Sequence, residues 1–128
     1  MRPEMSPWGE IDHCVQLCPG VYEVSTPSHG GVMAQLGAAS RIFSAAARRY
    51  GFVEGGYLCF EEDCDAAVAI RELLDRGKVT PPVNRYYGPG EYEKAIDRSI
   101  QRYQPEYRQA RQKRLEQKAR RREGRDGL

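Results

Sequence analysis

The chain has 128 residues, of which 40% are hydrophobic and 30% charged, as expected for one domain with a modest core. It has no apolar stretch near the roughly 20 residues needed to cross a bilayer, and its start, MRPEMSPWGE, lacks the apolar segment of a secretory signal. We therefore expect a cytoplasmic protein without membrane contact.

The first predicted elements are two strands around Pro19 and Gly20. Residues 11–18 alternate apolar and polar side chains, the period of a half-buried strand, and residues 21–25 are rich in β-branched and aromatic side chains. Because Pro-Gly favours a turn, the pattern predicts an antiparallel hairpin.

Helix and strand signals alternate over the next 50 residues. Apolar side chains recur every three to four residues from Leu36 to Tyr50, which predicts one helix. Residues 56–60, GYLCF, predict a buried strand, and residues 66–74 predict a second helix. The β-β-α-β-α order predicts an α+β fold with a small mixed sheet. If residues 20–25 and 56–60 are parallel neighbours in it, the helix between them is a crossover connection.

The C-terminal part is predicted to be helical and basic. We divide the chain into an α+β domain (1–78), a Pro/Gly-rich connector (79–90) and C-terminal helices with a basic tail (91–128). Pro105 ends one helix and is well placed to begin the next. The apolar side chains beyond it are too sparse to bury against a core, so we expect a projecting tail whose deletion leaves the stability nearly unchanged.

Two polar segments are candidates for one functional edge. The sequence TPSHGG (26–31) follows one predicted strand, and EEDCD (61–65) follows another. If these strands are parallel neighbours, both segments lie at the sheet edge where α/β proteins bind ligands. A histidine there could act as a base or metal ligand, with a carboxylate orienting it. The candidate catalytic residues are His29, Glu61, Glu62, Asp63 and Asp65.

Both segments also have purely structural interpretations. Thr-Pro-Ser-His is a favourable β-turn, and acids stabilise the start of a following helix by about 0.3–1 kcal/mol each. The four cysteines are spaced C-x3-C and C-x4-C, unlike zinc ribbons, so we expect free thiols. The sequence assigns no metal and no cofactor.

The tail is a candidate anion-binding segment. Residues 105–128 carry nine Lys/Arg and four Asp/Glu, whereas residues 1–104 carry 11 and 14. Such asymmetry favours an anionic partner, either nucleic acid or a protein complex, although it also suits a solvent-exposed helix. The nearby Tyr103 and Tyr107 could stack on bases or pack within the fold. The candidate contacts are Arg108, Arg111, Lys113, Arg114, Lys118, Arg120, Arg121 and Arg122.

Three motifs resemble those of an uncharacterised family of small bacterial domains encoded on phages, plasmids and other mobile elements. They are Trp8-Gly9, the segment from Ser25 to Gly31, and the segment from Glu61 to Asp65. The resemblance covers about residues 8–75, and Ala66 stands where the family usually has an aromatic residue. It implies a mobile-element context but no established activity.

Two functional hypotheses follow. The first is a mobile-element accessory protein that binds nucleic acid, or a host defence or nucleic-acid-processing complex, through its basic tail. The alternative is a small hydrolase or metal-dependent enzyme that uses His29 and the acids of residues 61–65.

Overall fold

The computed structural model describes residues 2–126 and confirms the α+β class. Residues 1, 127 and 128, which belong to the predicted first domain and basic tail, lie outside the described residues. The strands are β1 (His13–Cys18), β2 (Val21–Ser25), β3 (Gly30–Gln35), β4 (Phe52–Glu54) and β5 (Tyr57–Glu61). The helices are α1 (Leu36–Ile42), α2 (Ala45–Arg48), α3 (Ala66–Asp75), α4 (Glu91–Tyr103) and α5 (Pro105–Asp126).

The five strands form one sheet in the order β1-β2-β3-β5-β4, and each neighbouring pair is antiparallel. The predicted mixed sheet, with β2 and β5 as parallel neighbours, is therefore wrong. The sequence GGVMAQ forms the unpredicted strand β3 between them, and its two glycines, which are depleted in strands, masked the pattern. β2 and β5 nevertheless run in the same direction, because each is antiparallel to β3.

The two faces of the sheet have different covers. On one face, side chains such as Val32 and Phe60 pack against α1, α3 and the buried residues Ile100 and Tyr107. On the other face, Tyr22, Val24, Met33 and Cys59 form a smaller cluster with Trp8 and Ile11 from the N-terminal segment. The side-chain period of two along each strand separates these clusters.

The helix predicted from Leu36 to Tyr50 is interrupted at Phe43 and Ser44, where the backbone is extended. The Ser44 hydroxyl caps α2 by accepting from the amide of Ala47 at 3.1 Å. The Ser44 amide and hydroxyl donate to the Glu72 carboxylate at 2.7 and 2.8 Å. A buried acid on α3 therefore binds the polar groups exposed where α1 ends and α2 begins.

The expectation that the tail cannot pack against the body is wrong for the first half of α5. Tyr107 is only 1% exposed and belongs to the main core, and Gln104, which precedes α5, is also buried. Two arginines further along α5 bind acids of α3, so ion pairs supplement a sparse apolar stripe. Within residues 2–126, every helix is too short or too polar to cross a bilayer.

Candidate functional site

The TPSHGG and EEDCD segments meet where the β2–β3 turn lies beside the end of β5. The Thr26 hydroxyl donates to the carbonyl of His29 at 2.6 Å and accepts from the His29 amide at 3.0 Å. The register pairs Gly31 with Glu61, and the Glu62 amide donates to the Gly30 carbonyl at 3.0 Å. The backbone around His29 and Glu61 is therefore held by hydrogen bonds on both sides of the site.

Three of the five candidate residues meet at this edge. His29, Glu61 and Asp63 each offer one possible metal-ligand atom, and these atoms lie within 4.8 Å of one another. His29 and Asp63 are exposed and Glu61 is half-buried. The two segments do lie together, but the parallel crossover on which that expectation depended is absent, and antiparallel pairing of β3 with β5 brings them together instead.

The other two acids lie apart from this group. Glu62 lines a groove with Ala67 and Ile70 of α3, on the opposite face of the sheet. This separation follows from strand geometry, because consecutive side chains at the end of a strand point to opposite faces. Asp65 precedes α3 and accepts a hydrogen bond from Gln104 Nε2 at 3.4 Å, so it contacts the residue that joins α4 to α5.

The glycines of the TPSHGG segment serve close packing. A Cβ on Gly31 would overlap the carbonyl oxygen of Phe60 and lie 2.6 Å from the Trp8 ring. A Cβ on Gly30 would lie 2.5 Å from the Val24 carbonyl oxygen. The space beside these two glycines is therefore filled by protein atoms. The Trp8 motif, the His29 turn and the acid segment meet in space.

The groove that Glu62 lines lies between the β1–β2 part of the sheet and helices α3 and α4. Its volume is about 370 Å³, and its walls are mainly apolar, with Val15, Tyr92 and Ile96 among them. Its polar groups include His13 and Glu23. A mainly apolar groove with a few polar groups is a common setting for ligand binding.

Two of the predicted anion-binding arginines have internal partners. Arg111 binds Asp75 through two hydrogen bonds of 2.8 Å, and Arg114 binds the buried Glu72 at 2.8 Å. Burial acts to raise the pKa of the Glu72 carboxyl, but hydrogen bonds from Ser44, Arg114 and Tyr107 outweigh it and lower the pKa. The charges of Arg111 and Arg114 therefore stabilise the fold and are already compensated.

The remaining predicted cations lie on the surface. Arg108 lines a groove with α4, and Lys113, Lys118, Arg121 and Arg122 are exposed. Arg120 is exposed beside Glu116, at 4.0 Å. Tyr107 is buried and cannot stack on bases, whereas Tyr103 is exposed, with the Arg102 guanidinium 5.3 Å from the centre of its ring.

Sequence reasoning missed the cations of α4. Lys94 and Arg98 line a groove of about 490 Å³ opposite Arg108 of α5, and Arg102 is exposed one turn further along. The spacing of four residues between Lys94, Arg98 and Arg102 was the available signal, because it places them on one helix face. The groove also contains Asp97, which accepts from Arg71 at 3.0 Å.

All four cysteines are free, as predicted. Cys18 and Cys59 are buried, and burial raises the pKa of the Cys59 thiol to about 11. Burial, followed by the charge of Asp65, raises the pKa of the Cys64 thiol. The Cys59 and Cys64 thiols are therefore mainly protonated near neutral pH and are weak nucleophiles.

Comparison with known proteins places the chain in a family but gives no activity. No curated protein and no solved structure matches it. A family model with the description "Domain of unknown function (DUF7007)" matches residues 1–127. This match includes the connector and nearly all of the basic tail, beyond the segment covered by the three motifs. The chain therefore belongs to the DUF7007 family.

Proposed function

We propose that this protein binds nucleic acid through a basic surface formed by α4 and α5. The observation that carries the proposal is the groove in which Lys94 and Arg98 face Arg108 from the opposite helix. The one acid lining this groove, Asp97, is bound by Arg71, so its charge is partly compensated. Closely spaced cations on two walls suit the phosphates of a nucleic-acid backbone.

The exposed end of α5 adds further cations, on several sides of that helix. We define the α4–α5 basic surface by nine exposed cations: Lys94, Arg98, Arg102, Arg108, Lys113, Lys118, Arg120, Arg121 and Arg122. α5 has 22 residues and α4 has 13, so at 1.5 Å per residue they are about 33 and 20 Å long. Duplex DNA carries about one charge per 1.7 Å, so the surface could contact several phosphates at once.

The wider context is part of the same proposal. The motif resemblance to domains of phages and plasmids supports an accessory role on mobile DNA, or on a host defence complex that processes nucleic acid. The free cysteines support a cytoplasmic location, where thiols stay reduced. The cations of the α4–α5 basic surface would contact the phosphate backbone, which carries no base-sequence information, so we expect little preference for base sequence.

The test is fluorescence anisotropy of labelled duplex and single-stranded oligonucleotides at increasing salt. One variant replaces Lys94, Arg98 and Arg108 with glutamine, and a second replaces Arg120, Arg121 and Arg122. The matched control replaces Arg2, Arg41 and Arg85, which are exposed and lie outside α4 and α5, and so removes the same charge.

We expect wild-type binding to weaken steeply with salt, with a slope of log affinity against log salt of about −0.9 per phosphate contact on duplex. Each surface variant should reduce this slope by about two to three, because three contacts are lost. The control should keep the wild-type slope. Equal weakening in all three variants, or no binding to either oligonucleotide at low salt, would contradict the proposal and favour a protein partner.

A further inference from the structure

We infer that His29, Glu61 and Asp63 form a binding site for a divalent transition-metal ion, separate from the α4–α5 basic surface. Their three ligand atoms lie within 4.8 Å of one another. Small movements of exposed side chains would bring these atoms to the metal–ligand distances of about 2.0–2.2 Å that are typical of zinc sites. The inference does not depend on nucleic-acid binding.

The charges at this edge favour a cation. Among residues 2–124, whose side chains the structure describes, every salt bridge lies on α3, α4 or α5, so no Lys or Arg there forms an ion pair with Glu61 or Asp63. Two carboxylates held close together repel each other when both are ionised. A bound divalent ion would remove this repulsion by accepting one oxygen from each.

The donor atoms select the class of metal. Magnesium and calcium prefer sites made of oxygen ligands, whereas an imidazole nitrogen suits zinc, iron and related transition metals. One imidazole and two carboxylates therefore favour ions such as Zn²⁺ and Mn²⁺, with Zn²⁺ bound more tightly because of the usual affinity order. Three protein ligands would leave a position on the ion for water or for a ligand.

The backbone fixes the positions of the ligands. His29 is held on both its amide and its carbonyl by the Thr26 hydroxyl. Glu61 ends a strand that is paired with β3, and this pairing continues through the amide of Glu62. Thr26 is therefore a positioning residue, since it holds the histidine without offering an atom to the metal.

Neighbouring residues provide matched controls for each ligand type. Glu62 is next to Glu61 in sequence but lines the groove on the other face of the sheet. His13 is the only other histidine of the chain and lines that same groove. The variant Cys64→Ser tests whether a thiol, rather than the proposed oxygen and nitrogen atoms, binds the ion.

Isothermal titration of the full-length, chelator-treated protein with Zn²⁺ and with Mn²⁺ tests the site. We expect one ion per chain, with His29→Ala, Glu61→Gln and Asp63→Asn each weakening binding at least tenfold. His13→Ala, Glu62→Gln and Cys64→Ser should bind as the wild type does. Failure of the wild type to bind either ion, or equal binding by all six variants, would overturn the inference, as would loss of binding in Cys64→Ser.

A measurement on the wild type covers the case in which a variant fails to fold. Nitrogen NMR resolves the rings of the two histidines, and Zn²⁺ should shift the ring signals of His29 while those of His13 stay unchanged. Shifts confined to His13, or absent from both rings at saturating Zn²⁺, would overturn the inference. Failure here would leave the nucleic-acid proposal intact, because the basic surface lies on other elements.

Discussion

Two acidic clusters close together in sequence have opposite environments. Glu72 and Asp75 on α3 are bound by arginines of α5, and Glu72 is only 1% exposed. Glu61 and Asp63, at the end of β5, lie near the surface, and no Lys or Arg among the described side chains forms a salt bridge with them. The comparison shows how position decides the role of a carboxylate: the α3 acids hold the C-terminal helix to the body, whereas the β5 acids remain accessible to a ligand.

Two deletions test the extent of the α3–α5 connection and should have the largest effect. Deleting residues 106–128 removes Tyr107 from the core and leaves Glu72 without two of its donors, Tyr107 and Arg114. We expect a loss of at least about 3–5 kcal/mol, the usual result of truncating a large buried aromatic residue. Deleting only residues 117–128 should have little effect on stability. Urea unfolding of both chains measures the difference, and a small loss in the longer deletion would show that α5 does not pack.

The buried carboxylate itself gives the next largest effect. Glu72→Ala leaves the donors of Ser44, Tyr107 and Arg114 without their acceptor, so it should lower the free energy of unfolding by about 3–5 kcal/mol. The matched change Asp63→Ala, at an exposed acid of the other cluster, should cost no more than about 0.5 kcal/mol. Equal losses in these two variants would contradict the distinction between the clusters.

Acid should weaken the α3–α5 connection by a smaller amount. The pKa of the Glu72 carboxyl is lowered from its ordinary value of 4.5, so its contribution is complete above that value. The contribution is lost as the pH falls through the lowered, folded-state pKa. Urea unfolding from about pH 6 to about pH 3 should show less loss of stability in Glu72→Gln than in the wild type. If Glu72→Gln lost as much stability as the wild type over this pH range, protonation of Glu72 would not be the cause of the acid-dependent loss.

Several features could be predicted from the sequence because their causes are local. The β1–β2 hairpin follows from its alternation and Pro-Gly turn, and α3 follows from its apolar face. The break between α1 and α2 could not be predicted in this way. The donors of Ser44 find their acceptor in Glu72, 28 residues away, so only the packed structure reveals why the helix stops there.

The candidate site, too, could be predicted only in part from the sequence. The residue types of TPSHGG and EEDCD indicated a functional edge, but β3 went unrecognised because it begins with two glycines. Tertiary packing requires glycine at position 31, because the Phe60 carbonyl and the Trp8 ring occupy the space that a side chain would fill. Because side chains alternate along a strand, Glu61 lies beside His29 and Glu62 lies on the opposite face. The register of β5 determines which of the two acids faces His29.

The basic tail was visible in the sequence as an excess of lysine and arginine, since net charge depends only on composition. Which cations remain available was decided by the tertiary structure. Arg111 and Arg114 face acids of α3 and are compensated, whereas Arg108 faces the cations of α4 across a groove. The physical reason is that the angular position of each residue on α5 decides whether it faces α3 or α4, and only the packing of the three helices fixes that position.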